Sequence, residues 1–263
     1  MTSHSDINQA TWNTWVDHDT QSEHHQDVAR FRSTGSSLHS LEVHELGDVA
    51  GKTLLHLQCN MGADTLSWAQ RGAQVTGIDL SDRAIAKAQE LATASNTPAR
   101  FITTDLYALP DHLSEQFDIV FTSYGVLWWL ADLQRWALIV AAFIKPGGTF
   151  YMVDMHPFTN CLAVAETAPL SFTVVAPYAH PTEPLQVLSG TPDASVRTWT
   201  YSLGEVVTAL MQAGLHLTFV HEHSMQFYQQ FAVLERDADG WWRWPPATQP
   251  LPLLFSLKAE KPR

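Results

Sequence analysis

The stretch that decides the fold spans residues 53–81 and reads TLLHLQCNMGADTLSWAQRGAQVTGIDLS. Residues 54–57 form a short aliphatic run that predicts a buried strand, and the tight loop 58–62 ends it. An amphipathic helical pattern follows, and a second strand, 74–78, stops at Asp79. This order places free backbone N–H groups beside a carboxylate at one edge of a sheet. Such an edge suits an adenosine-type cofactor, because the amides bind a negative group and the carboxylate binds two ribose hydroxyls.

The alternation of strands and helices continues beyond this unit. Further strands are predicted at 100–104, 117–122, 149–155, 215–221 and 253–259. Ser81 and Asp132 are predicted to cap helices, and Ser202 with Glu205 forms the pattern of a capping box. Strands that alternate with helices predict an α/β fold, here a doubly wound, mainly parallel, seven-stranded sheet with helices on both faces.

At the opening stretch the chain resembles the class I S-adenosylmethionine (SAM) dependent methyltransferases. The usual loop of that family has three glycines spaced by single residues. Here Gln58 and Asn60 occupy the first two glycine positions, Gly62 occupies the third, and His56 stands where an acid is usual. The loop sequence LHLQC-x-x-G is similar to that of a bacterial branch of these enzymes. The resemblance extends from about residue 41 to residue 261.

The resemblance implies SAM as the cofactor and a last strand that lies antiparallel between the fifth and sixth. It implies that Asp79 binds the ribose, that Asp105 accepts a hydrogen bond from the adenine amino group, and that Ser123 with Tyr124 contacts the methionine part. The residues implied in cofactor binding are Gln58, Cys59, Asn60, Gly62, Asp79, Leu80, Asp105, Leu106, Ser123 and Tyr124.

Several of these side chains also have structural alternatives. Asp79 is one residue away from a helix cap, and Asp105 fits an Asx turn before a loop. Ser123 and Tyr124 fit packing as well as contact with a ligand. Cys59 fits a small buried residue better than a nucleophile. One of Trp128 and Trp129 is a candidate wall of a substrate pocket, with core packing as the alternative.

The domain organisation follows from where the alternation fails. Residues 1–50 are polar and helical in pieces, and we predict an N-terminal helical cap. Residues 51–263 form the SAM-binding Rossmann-like domain. Within it, residues 156–198 carry interspersed prolines and aromatics and are predicted to be an insertion that covers the carboxyl edge of the sheet as a lid. Alternation at 171–175 permits a strand or hairpin there, and Asp-Gly inside 231–244 predicts a hairpin.

Methyl transfer requires little from the protein beyond placement, because the sulfonium is already activated. An oxygen or nitrogen nucleophile can also need a base. His156 directly follows the fifth strand and is the catalytic candidate, while His221 and His223 follow the sixth strand. For each histidine the alternative is a side chain satisfied by structural hydrogen bonds. No His/acid pair with the spacing of metal ligands occurs, so no metal is predicted.

Composition limits the possible partners. The 263 residues carry a net charge of −12, and Lys and Arg never cluster beyond a pair, which argues against nucleic acid. No apolar run approaches the length of a membrane span, the N-terminus is polar, and the two cysteines suggest no disulfide framework. A cytoplasmic protein is therefore expected. The sequence leaves the oligomeric state open.

These observations predict a SAM-dependent methyltransferase that acts on a small molecule. The alternatives are a non-catalytic SAM-binding protein and a nicotinamide-dependent oxidoreductase. The oxidoreductase would share the opening unit, but it usually keeps the glycines that Gln58 and Asn60 replace here.

Overall fold

The computed structural model describes residues 4–18, 23–165, 170–178, 185–188, 195–246 and 251–263. The helices, in chain order, are α1 (His4–His18), α2 (Glu23–Thr34), α3 (Ser40–Leu46), α4 (Ala63–Gln70), α5 (Asp82–Ala94), α6 (Leu109–His112), α7 (Leu133–Phe143) and α8 (Leu203–Gln212). The strands are β1 (Thr53–Leu57), β2 (Gln74–Asp79), β3 (Arg100–Thr103), β4 (Phe117–Ser123), β5 (Ile144–Met155), β6 (Leu162–Val164), β7 (Phe172–Val174), β8 (Leu185–Leu188), β9 (Ser195–Thr198), β10 (His216–His223), β11 (Met225–Gln226), β12 (Glu235–Arg236), β13 (Trp242–Arg243) and β14 (Leu254–Glu260).

A seven-stranded sheet organises the described residues, in the order β10-β14-β5-β4-β1-β2-β3. The pairs from β3 through β2, β1 and β4 to β5 are all parallel. The strand β14 runs antiparallel between β5 and β10. The predicted fold class, including the antiparallel last strand, is confirmed.

Helices cover both faces of this sheet, because adjacent strand residues point to opposite sides. Leu55 in β1 and Val120 in β4 belong to the cluster that contains Trp136 of α7. Their sequence neighbours Leu54 and Phe121 belong to the cluster that contains Trp68 of α4. Burial of this kind stabilises by about 25 cal/mol per Å² of apolar surface and drives the packing of helices on both faces.

Smaller antiparallel pairings surround the central sheet. The pair β6–β7 confirms the strand expected at 171–175, and β12–β13 confirms the hairpin expected in 231–244. The strand β9 pairs with β8 and lies against α1. The predicted boundary between an N-terminal cap and the main domain stays a prediction. Among the described helices, none combines the length and the apolar character that crossing a membrane requires.

Candidate functional site

A cavity of about 470 Å³ opens at the carboxyl ends of β1, β2, β3 and β4. Its volume lies in the range of about 300–1,000 Å³ that is typical of small-molecule sites. The structure brings all ten residues predicted to bind the cofactor to its lining, namely Gln58, Cys59, Asn60, Gly62, Asp79, Leu80, Asp105, Leu106, Ser123 and Tyr124. Parallel strands produce this convergence, because their carboxyl ends share one edge of the sheet.

The loop between β1 and α4 has left-handed backbone at alternate residues. The φ angles are 56° at Gln58, 48° at Asn60 and 75° at Gly62. Asn60 compensates for part of the strain with local hydrogen bonds: its side-chain Oδ1 accepts from the Met61 N–H at 2.6 Å. Two non-glycine residues therefore adopt the conformation for which the spaced glycines of the resembled family are suited.

Two glycines permit close approach beneath this loop. A Cβ on Gly62 would lie 2.7 Å from the Cβ of Ala88, and one on Gly77 would lie 2.8 Å from the Sγ of Cys59. In both cases the ring of Phe101 is also within 3 Å of the added atom. Cys59 thus packs directly on β2 as a buried residue, and its pKa is raised well above the usual value by burial.

Asp79 closes the opposite side of the loop. One carboxylate oxygen accepts from the Asn60 N–H at 2.8 Å, and the other accepts from the Ser81 N–H at 2.8 Å. Burial raises the pKa of Asp79 to about 6 although these hydrogen bonds act to lower it. Each carboxylate oxygen has a second lone-pair site, so the group retains the capacity to accept two further donors.

Asp105 makes structural contacts in the same lining. One of its oxygens accepts from the Tyr107 N–H at 2.7 Å and caps the short turn Leu106–Ala108. The other accepts a hydrogen bond from the Ser5 hydroxyl of α1. The Asx-type contact weighed from the sequence is therefore present, and the adenine contact stays a prediction.

A polar stripe on α1 lies against the ends of β2 and β3. Ser5, Gln9 and Asn13 follow each other at helical spacing, so they share one face of α1. Gln9 donates to the Leu80 carbonyl oxygen at 2.8 Å, and Asn13 donates to the Asp82 carboxylate at 2.7 Å. Asn13 also accepts from the Ser81 hydroxyl at 2.6 Å. We call these three residues the α1 stripe.

A buried polar cluster lies behind the loop. His56 Nδ1 is 2.8 Å from the Thr65 hydroxyl, and burial lowers the pKa of His56 to about 3, so the ring is neutral. Asp64, in the first turn of α4, accepts hydrogen bonds from Ser37 at 2.5 Å and from Ser123 at 3.1 Å. Burial raises the pKa of Asp64. Position 56, where the resembled family usually has an acid, thus holds a histidine, and Asp64, eight residues later in the chain, supplies a carboxylate in the same cluster.

Tyr124 connects the cavity to a second buried acid. Its φ of 40° is left-handed, and its hydroxyl donates to Glu42 at 3.0 Å. Burial raises the pKa of Glu42 to about 8, with the neighbouring Asp64 as the second cause. Burial likewise raises the pKa of Tyr124 well above its usual value, which makes this phenol a hydrogen-bond donor rather than a base.

The side chain of Gln58 carries a buried atom that lacks a partner. Its Nε2 donates to the Val126 carbonyl oxygen at 3.3 Å, which fixes the orientation of the amide. Its Oε1 is buried and makes no hydrogen bond within the described residues. Gln58 lines the cavity as a residue, but this oxygen itself is not exposed to it.

Aromatic rings form two walls of the cavity. On one side Trp12 and Trp15 of α1 meet Trp129, with ring centroids 5.1 and 6.0 Å from that of Trp129. On the other side Phe227 packs on Tyr124 at 4.4 Å and on Tyr228 at 4.9 Å. Trp129 lines the cavity, which is the role weighed against core packing for one of Trp128 and Trp129.

Comparisons with known proteins agree with this architecture. Residues 54–148 match a family model described as a methyltransferase domain. A ubiquinone biosynthesis O-methyltransferase of Pseudomonas fluorescens is 33% identical over 126 residues, which are 46% of this chain and 53% of that protein. An uncharacterized methyltransferase of Synechocystis sp. is 35% identical over 126 residues, 47% of this chain and 57% of its own length. The chain thus spans about half the length of these curated relatives.

Solved structures extend the likeness over most of the chain. A SAM-dependent methyltransferase from Mesorhizobium loti superposes with a TM-score of 0.61 at 22% identity, covering 82% of this chain and 93% of that one. A magnesium protoporphyrin IX methyltransferase from Synechocystis, solved with S-adenosylhomocysteine, has a TM-score of 0.59 at 14% identity, covering 98% and 100%. The fold is that of the class I methyltransferases.

Within this methyltransferase fold His156 lies away from the cavity. Its Nδ1 accepts from the Phe158 N–H at 3.2 Å, and its Nε2 is 2.8 Å from Glu222. It does not contribute to the lining. His221 and His223 are likewise outside the lining and contact Glu45 and Ser256. The geometry therefore does not support the catalytic role predicted for His156, because both ring nitrogens already serve structural contacts.

The cover of the site also differs from the expected lid. Among the described residues of 156–198, none lines the cavity. The covering groups come from α1, from His25 and Asp27 of α2, and from the loop at 227–228. The insertion contributes indirectly, because the backbone of Arg197 in β9 exchanges two hydrogen bonds with Asn8 of α1.

The sequence analysis predicted an N-terminal helical cap but singled out no residue of it, so no role was assigned to Trp12 or Trp15, nor to Phe227 or Tyr228. A usable signal was present in the α1 stripe, since polar residues four apart on the apolar side of a helix need partners. Nothing local in the sequence indicates where a preceding helix docks.

Proposed function

We propose that this chain is a SAM-dependent methyltransferase that acts on a small-molecule acceptor. The observation that carries the proposal is the convergence of the loop 58–62, Asp79, Asp105 and Ser123 on one cavity of small-molecule size. The likeness to methyltransferases in sequence and fold supports the same activity. The loop wording LHLQC-x-x-G further suggests the bacterial branch that the sequence resembles.

The residues present fit the cofactor. We assign the ribose hydroxyls to Asp79, whose oxygens each keep acceptor capacity, and the adenine to the region between Leu80 and Leu106. The left-handed loop presents backbone groups to the methionine half, beside Ser123 and Tyr124. SAM supplies an activated methyl group when it is bound.

The chain contributes placement and exclusion of water. The two aromatic walls hold a flat acceptor, and α1 with α2 closes the cavity over it. Alignment of the nucleophile with the methyl group supplies most of the rate enhancement in such reactions. Burial in a closed cavity also strengthens the hydrogen bonds that orient the reactants.

Calorimetric titration with S-adenosylhomocysteine tests the cofactor assignment. Charged hydrogen bonds of the kind assigned to Asp79 contribute ~1.5–3 kcal/mol, so Asp79→Ala should weaken binding about 10- to 150-fold. Asp79→Asn should weaken it less, because an amide oxygen still accepts. Equal affinity in the wild type and Asp79→Ala would overturn the assignment.

Two further measurements separate the alternatives. Tight binding of NAD by the wild type would favour the nicotinamide-dependent oxidoreductase. Binding of SAM without turnover against a broad set of metabolites would favour a non-catalytic SAM-binding protein. The net charge of −12 argues against a nucleic-acid acceptor. The cytoplasmic location stays a prediction.

A further inference from the structure

The helix α1 bridges the two strand ends between which we place the adenine. Ser5 and Gln9 lie one helical turn apart on α1. The Ser5 hydroxyl donates to a carboxylate oxygen of Asp105, which comes after β3. Gln9 donates to the carbonyl oxygen of Leu80, which directly follows β2. Because Ser5, Leu80 and Asp105 all line the cavity, α1 holds both segments that flank the proposed position of the adenine.

The contact with Asp105 fixes the direction in which Ser5 uses its hydrogen. A serine hydroxyl has one donor hydrogen and two acceptor lone pairs, whereas an ionised carboxylate only accepts. In this contact the hydroxyl is therefore the donor. Once its hydrogen is committed to Asp105, the Ser5 oxygen offers a ligand lone pairs but no donor. Ser5, which is half-buried and part of the lining, thus contributes an acceptor to the cavity.

The Asp105 carboxylate is held from two sides. One oxygen accepts from the Tyr107 N–H at 2.7 Å, and the other accepts from the Ser5 hydroxyl. Two donors define the plane of the carboxylate, whereas the Tyr107 contact alone would leave the second oxygen free to turn. Each oxygen keeps a second lone-pair site, so the oriented group can accept a further donor from a ligand.

We propose that Ser5 is a positioning and specificity-determining residue for the cofactor, through which the site selects an adenine amino group over an oxo group. The inference rests on the proposed SAM binding and deepens it. Asp105 and Ser5 place acceptor oxygens side by side, and an amino group brings the hydrogens that they lack. An oxo group in the same place would meet these oxygens with no hydrogen between them. Sites built to bind a donor reject analogues without it, because their buried polar groups are then left unpaired.

Two cofactor analogues that differ at this one group test the inference. S-adenosylhomocysteine carries the amino group, and S-inosylhomocysteine carries an oxo group in its place. Titration calorimetry on the full chain should find the amino ligand bound at least about tenfold more tightly than the oxo ligand. Equal affinities would overturn the inference and leave the proposed function standing. Absence of binding by either ligand would overturn the cofactor assignment and the inference with it.

Substitution of Ser5 shows whether its hydroxyl is the cause. Ser5→Ala should reduce the preference for the amino ligand at least about threefold, because Asp105 loses one of its two donors and the site loses one acceptor. Ser5→Thr keeps a hydroxyl on the same carbon and should keep the wild-type preference. An unchanged preference in Ser5→Ala, or a Ser5→Thr variant that behaves like Ser5→Ala, would overturn the role of the hydroxyl.

Gln9→Ala separates this specificity from a general loosening of α1. It removes the contact of α1 with Leu80 and leaves the contact between Ser5 and Asp105 in place. Both ligands should bind more weakly to this variant, with an unchanged ratio of affinities, because the groups assigned to the amino group are not altered. A ratio that falls as far in Gln9→Ala as in Ser5→Ala would assign the effect to helix docking and overturn the inference.

Discussion

At the scale of single residues, the protonation of Asp79 should control cofactor affinity. Burial raises the pKa of Asp79 in the folded chain to about 6, above its usual value of 3.8. Ionised Asp79 therefore costs stability above about pH 6, and this cost shrinks as the pH falls from about 6 to 3.8, below which the group is protonated in both the folded and the unfolded chain. Ribose hydroxyls donate to the ionised carboxylate, so S-adenosylhomocysteine should bind more tightly at a pH at which Asp79 is ionised.

We expect the affinity for S-adenosylhomocysteine to fall as the pH drops below about 6, by about tenfold between pH 7 and pH 5. Titration calorimetry across this range measures it. Asp79→Asn is the control, because an amide does not titrate. The same pH dependence in both proteins would assign it to another acid, such as Asp64, whose pKa burial also raises.

His156 tests the distinction between structural and catalytic histidines. Only 5% of the residue is exposed, and it joins Glu222 to the Phe158 backbone. His156→Ala should lower the unfolding free energy by about 1–3 kcal/mol, because the buried contacts lose their partner, and should leave kcat within about threefold. Denaturant unfolding and steady-state kinetics measure the two effects.

An exposed histidine provides the comparison. His216→Ala should change neither the unfolding free energy nor kcat, because His216 is exposed on β10. A loss of about 10²-fold in kcat with unchanged stability in His156→Ala would restore the catalytic role, since that is the low end of general-base effects.

At the scale of elements, α1 should slow the release of the cofactor from the edge of the sheet where the cavity opens. Gln9 and Asn13 bind the segment 80–82, next to Asp79. The double substitution Gln9→Ala with Asn13→Ala removes hydrogen bonds that contribute about 0.5–1.5 kcal/mol each. Dissociation of S-adenosylhomocysteine should accelerate by about 5- to 150-fold, which corresponds to about 1–3 kcal/mol at one such bond per residue. Stopped-flow tryptophan fluorescence can follow it, because Trp12, Trp15 and Trp129 line the cavity.

The control for α1 lies on its exposed side. Thr14→Ala removes a side chain that contacts only the backbone of its own helix, at the Ala10 carbonyl oxygen. Its dissociation rate should equal that of the wild type. If the double variant also released S-adenosylhomocysteine at the wild-type rate, the hydrogen bonds of α1 would not control ligand release.

At the scale of the whole molecule, cofactor binding should stabilise the fold. A ligand at a hundredfold its Kd stabilises by about 2.7 kcal/mol, and roughly 2–4 °C per kcal/mol applies to chains near this size, so Tm should rise about 5–11 °C. Thermal unfolding with S-adenosylhomocysteine and with NAD compares the two ligands. NAD should leave Tm within about 1 °C, and a larger shift with NAD would contradict the assignment.

The sequence by itself determined the seven-stranded sheet, the helices on its faces and the lining residues that directly follow the strands. Strands at 54–57 and 74–78 are aliphatic and short, so burial and loop chemistry specify them locally. Once parallel order is established, the residues after each strand meet at one edge without further information. For that reason Asp79 was placed at this edge in advance, and the family resemblance implied Gln58, Asp105 and Ser123 beside it.

The tertiary structure alone decided which groups cover that edge. The docking of α1 depends on contacts between residues far apart in the chain, such as Gln9 with Leu80. The role of His156 depended on Glu222, 66 residues away, which fills the hydrogen bond that a catalytic base would need free. Local sequence patterns do not predict such contacts, because the free energy that favours them arises only when the elements pack together.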